Sequence, residues 1–141
     1  MKPLAILVLS AALTACGGTD KSAPYMWGGT VTVTAGAVST TCVSTVTVTY
    51  SAAGVNPPSV SVPVGSCVDF VNADLVAHWP ESSPHPTHTQ CPWLNMTVAI
   101  PAWTGTGPMP HTTVGPAPGP PMACGFHDHL HPPAVGGGGG Y

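Results

Sequence analysis

The stretch Phe126-His127-Asp128-His129-Leu130-His131-Pro132-Pro133 places three of the chain's seven histidines within five positions, with a carboxylate among them. Imidazole and carboxylate are donors that suit copper, zinc and iron, so the segment reads first as part of a metal site. The other histidines, His78, His85, His88 and His111, lie upstream, so a full coordination sphere has to be assembled by the fold. A His-rich loop resting in water is the alternative use of such a composition.

Parity decides which side chains could converge. On an extended strand His127 and His129 share one face and Asp128 takes the other. Phe126 and Cys124 have the parity of Asp128 and read as core residues, which turns Asp128 inward. Rotation of the strand would make His127 and His129 the inward pair instead. Upstream, Pro84-His85-Pro86-Thr87-His88 carries two histidines three apart. It reads as a polar, proline-stiffened loop over the site's mouth, from which one ring could reach an ion. His111 stands in a Gly/Pro-rich setting and is given no role.

The elements that must position these residues are strands. Glycine (17) and proline (18) are abundant, Thr and Val dominate much of the remainder, and almost no helix-length periodicity is present. Thr30 to Thr34 alternates valine with threonine, and Ser44 to Tyr50 repeats the pattern through Val46, Val48 and Tyr50. Val60, Val62 and Val64 alternate again after a turn at Asn56-Pro57-Pro58, and Pro63 argues for an edge position or a strand end. Val68 and Phe70 open the next inward face, and Val98 with Ile100 extends the series. Short strands at this spacing predict an all-β sandwich. Residues 104–121 are mostly Gly, Pro, Thr and Ala and predict a long irregular loop.

The chain opens with Met1-Lys2, an apolar run from Leu4 to Leu13, and then Thr14-Ala15-Cys16. That order predicts a secretory signal over 1–15, too short to remain as a membrane span. It resembles the bacterial lipoprotein signal, which implies lipidation of Cys16, attachment to a membrane of the cell envelope, and a tether over 16–29. The domain is expected over 30–135, with a flexible Gly-rich tail over 136–141. Past the signal, Lys21 is the one basic side chain against Asp20, Asp69, Asp74, Glu81 and Asp128, so no basic patch for nucleic acid exists. With Cys16 used by lipid, Cys42, Cys67, Cys91 and Cys124 allow three pairings. Cys91–Cys124 is preferred because both flank the His-rich region, which leaves Cys42–Cys67. Export makes disulfides the expected use of these thiols.

Gly54 to His78 resembles the cupredoxin, or plastocyanin-like, domain. The anchors are Gly54, Pro57, Val60, Val62, Gly65, Val68, Phe70, Asn72, Asp74 and His78. The resemblance implies a Greek-key β-sandwich with His78 as the first copper ligand. Phe126 to Ala134 is similar to the family's second ligand loop, with Asp128 at the place of the cysteine, His131 at the second histidine and Ala134 at the methionine. Both sulfur ligands are therefore absent, and the short copper–thiolate bond of a blue site has no donor there. The implied set is His78, Asp128 and His131, with His129 in reserve, for copper and with zinc and iron(II) suited to the same donors. The family's last strand is also without a counterpart, because the chain ends in five glycines and Tyr141.

Three functions follow as expectations. One is an envelope-anchored, non-blue copper-binding module that buffers or delivers the ion. Another is an electron carrier, and the third a metal-free sandwich with an adhesive or structural role. No Ser-His-Asp or Cys-His order stands out, so binding rather than catalysis is expected.

Overall fold

The computed structural model describes residues 27–132. The signal, Cys16, most of the tether and the Gly-rich tail lie outside the described residues. Eight strands form the domain: β1 (Gly28–Thr34), β2 (Thr45–Ser51), β3 (Gly54–Asn56), β4 (Ser59–Pro63), β5 (Cys67–Asn72), β6 (Pro80–Ser82), β7 (His111–Val114) and β8 (Met122–Asp128). They make two four-stranded sheets, ordered β4-β1-β8-β6 and β3-β2-β5-β7. The domain is an all-β sandwich, as the alternation predicts.

The valine–threonine alternation builds the core by the two-residue period of a strand. Val31, Val33, Val48, Val62 and Val68 are almost wholly buried, with Tyr50, Phe70 and Phe126 beside them, while the intervening threonines reach the surface. Pro63 ends β4, and β4 is an edge strand of its sheet, which spares the missing N–H. Both disulfides form in the preferred pairing, Cys42–Cys67 and Cys91–Cys124. The second closes a loop with a sequence separation of 33 residues, a constraint of order 3–4 kcal/mol on the unfolded chain.

Three strands are not evident in the sequence. β7 lies inside the stretch expected to be irregular and pairs antiparallel with β5, Val68 opposite Val114 and Val71 opposite His111. β3 and β6 are three-residue strands, completed by their neighbours β2 and β8. Conversely, Val98 is exposed and Ile100 makes only an isolated bridge with His78, so no strand forms there. Among the described residues no strand follows β8.

Tyr50 fills the centre of the core with its hydroxyl buried and without a hydrogen-bond partner among the described residues. Burial, and secondarily the Asp128 carboxylate, holds its phenol well above the usual range. Its ring stacks on His78 at 4.7 Å between centroids. Because an unpaired buried hydroxyl costs about 1–3 kcal/mol, Tyr50→Phe should leave the melting temperature unchanged or raise it by a few degrees. A marked drop in calorimetric melting would show that the hydroxyl has a partner.

Candidate metal centre

β8 ends at the sandwich edge, and its last residue is a hub. Asp128 is almost fully buried. Its Oδ2 lies 2.7 Å from His78 Nδ1 and 2.6 Å from His131 Nδ1. Its Oδ1 accepts the backbone N–H of Trp79 at 2.8 Å and of Leu130 at 3.1 Å. Burial alone would raise the Asp128 carboxyl, but the hydrogen bonds from His78, Trp79, His131 and Leu130 together hold it below the usual carboxylate range.

His78 is positioned by the chain that leaves β5. Asn72 is buried, its side-chain amide donates to the carbonyls of Val76 and Pro101, and its Oδ1 accepts the Asp74 N–H. That bracket folds 73–78 back so that His78 Nε2 lies 3.2 Å from Asp74 Oδ2. Both ring nitrogens of His78 thus face carboxylate oxygens, Asp128 on one side and Asp74 on the other. His131 packs against Trp27 at 5.0 Å between centroids and is half-buried.

A second histidine group occupies the opposite face of β8. His85, His88, His127 and His129 each offer one ring nitrogen within 4.8 Å of the others. The chain after β6 builds it. Ser83 N–H donates to the Gly125 carbonyl at 2.9 Å, Gln90 Oε1 accepts the Gly125 N–H at 2.9 Å, and Cys91 is bonded to Cys124. The intervening loop is thereby pinned onto β8, and its histidines meet His127 and His129. Gly125 permits this, since a Cβ there would stand 2.8 Å from Ser83 Oγ.

Within this group His88 Nδ1–H donates to the Ser82 carbonyl at 2.9 Å, leaving Nε2 to face His129 Nδ1 at 3.0 Å. His88 has a φ of +50°, the left-handed region that a non-glycine residue enters at a cost of about 1–3 kcal/mol. Its backbone is held there by His88 N–H to Pro84 O, and by Ser82 Oγ and Asn95 Nδ2 donating to its carbonyl. His127 is 6% exposed, and its Nε2 is buried with no partner among the described residues. Burial, then His88, His85 and His129, push the His127 imidazole down to about 4, with Asp128 opposing. His85 is exposed, yet burial, His129 and His88 lower it as well.

The sequence-predicted residues therefore divide. His78, Asp128 and His131 are brought together across 50 residues of chain, and their ligand atoms meet the same 4.8 Å criterion. His129 is not with them: just past the end of β8, its N–H donates to the Trp79 carbonyl and its ring nitrogen lies against His88 Nε2, in the group with His127. His85 and His88 do not cover the mouth of the His78 group but complete the second one. His111 lies apart, exposed, 3.0 Å from Asp69. The proximity of His85 and His88 to β8 was missed because it depends on backbone pairing around Gly125, for which the Cys91–Cys124 pairing was the available clue.

The class defined by this geometry is an all-β, disulfide-bonded sandwich with a His-rich group able to hold a metal ion. Comparison with known proteins adds no relative: no family profile, curated protein or solved structure gives a significant match.

Because all four strong acceptor directions of Asp128 are used, Asp128→Asn should lower unfolding stability by about 3 kcal/mol or more, the scale of breaking a buried pair. Denaturant unfolding of the metal-free chain checks this. A loss below about 1 kcal/mol would show that the hub does not hold the sandwich edge.

Proposed function

We propose that the protein binds a transition-metal ion outside the cytoplasm, with copper as the leading candidate, and serves to buffer or deliver it. The observation that carries this reading is the convergence of distant histidines: every one except His111 lies in a group whose ligand atoms approach one another on one side or other of the β8 end. Histidines scattered for solubility have no reason to gather so.

Copper is favoured because imidazole-rich sites bind copper(II) most strongly among the first-row divalent ions. The cupredoxin resemblance of Gly54 to His78 supports the same metal, but the site would be non-blue. Asp128 stands where that family has its thiolate, and the four cysteines among the described residues are all in disulfides. Those disulfides support an oxidising compartment, the setting that the expected signal and lipidation of Cys16 would also imply. Without a thiolate to tune potential, electron transfer is the weaker use.

Calorimetric titration of copper(II) into the metal-free full chain should show saturable binding, micromolar or tighter. The complex should lack the intense charge-transfer band at roughly 600 nm that a copper–thiolate bond produces. Weak, non-saturating heat would contradict metal binding as the function.

A further inference from the structure

We propose that His85, His88, His127 and His129 are the ion-binding centre, with His88, His127 and His129 as a fixed three-imidazole seat. The solvent-facing His85 is the exchange ligand through which a divalent copper or zinc ion enters and leaves. This rests on the metal-binding reading above and assigns its site and route.

The two histidine groups differ in which atoms are free. In the His78 group the Asp128 Oδ2 lies between two ring nitrogens at 2.7 and 2.6 Å, and the remaining His78 nitrogen faces Asp74. An ion could bind there only after both Nδ1 protons shift or leave, which breaks two short hydrogen bonds to the buried Asp128 Oδ2. In the second group the His127 Nε2 is buried and unpaired, and the His88 Nε2 carries a lone pair because its Nδ1 proton is given to the Ser82 carbonyl. A backbone carbonyl on the distal nitrogen is the usual device that fixes a metal-binding imidazole. In the metal-free state His129 Nδ1–H donates to that lone pair; shifting the His129 proton to Nε2 leaves both lone pairs for an ion without loss of a proton.

The dimensions agree. Four ligands at about 2.0 Å in a tetrahedron stand about 3.3 Å apart. The His88–His129 pair is already at 3.0 Å, and the group lies within 4.8 Å overall, so ring rotations of the order of an ångström close the sphere. The left-handed His88 backbone is explained by the same end: it is where the loop must turn to aim the ring at β8. The charge of a divalent ion among neutral rings is met by Glu81. It pairs in register with His127, is nearly buried, and has an oxygen 3.9 Å from His88 Nδ1.

Exposure separates the four rings by role. His127 is buried and His88 and His129 are half-buried, while His85 is exposed on the loop between Ser83 and Gln90. An incoming acceptor can therefore displace His85 first, while the three-imidazole seat still holds the ion. This is a ligand-exchange route suited to delivery rather than to permanent storage.

The test uses the metal-free full chain and variants whose metal-free melting matches the parent. Copper(II) affinity is measured by competition, and release into excess EDTA by stopped flow. His129→Gln, and His127→Ala where it folds, should weaken affinity by about a hundredfold or more, beyond the cost of outer-shell changes. His85→Ala should weaken it by only about tenfold, with nearly all of that loss in a faster release rate. His131→Ala should stay within about threefold of the parent, since it lies outside the seat. If His131→Ala costs as much as His129→Gln, or His85→Ala leaves release unchanged, this assignment falls while metal binding stands. If the parent itself binds no ion, the metal-binding reading fails.

Discussion

The buried Asp128 carboxylate is the constraint on which this end of the molecule depends. One side chain accepts from two imidazoles on one oxygen and from two backbone N–H groups on the other. It joins the end of β8 to the segment that follows β5, and so closes the two sheets at one edge. Such a charge is tolerated in the interior because every lone-pair direction has a donor. Removing it would strand four donors at once.

Fixing Asp128 inward also fixes its neighbours. The two-residue period leaves His127 no choice but the outer face of the sheet, and His129, one residue past the strand end, lies beside it. The loop after β6, pinned at Ser83, Gln90 and Cys91, covers that face and brings His85 and His88 against them. The result is a pair of polar groups back to back on one strand. The inner one is closed by its own hydrogen bonds. The outer one keeps an unpaired buried nitrogen and a left-handed histidine, two costs that local stability does not explain.

Legibility in the sequence followed the physics of each signal. Val31, Val33, Val48 and Val62 announce the core because alternation is local, and their strands fall where the pattern puts them. The position of Cys91 and Cys124 around the histidines favoured the pairing that forms, but four cysteines left three pairings open. β7, with the sequence His-Thr-Thr-Val, was not legible: two threonines in Gly/Pro-rich surroundings carry no alternation, and its pairing is settled by β5, a strand far upstream in the sequence. His129 was a reserve ligand for the His78 group on the expectation that the strand ends near it; β8 does end at Asp128, but the His129 ring meets His88 instead. His85 and His88 were placed over the other site, since nothing local in Pro84 to His88 says which face of β8 the loop will cover.

In the proposed centre the ion is held by imidazoles alone. Pulsed electron paramagnetic resonance of the copper(II)-loaded full chain reads this directly, through the couplings of the remote ring nitrogens. Couplings from three or more equatorial imidazoles, abolished in part by His129→Gln and untouched by His131→Ala, are the expected result. A centre with two imidazoles and a carboxylate oxygen, lost in His131→Ala, would place the ion at Asp128 and contradict the four-histidine assignment.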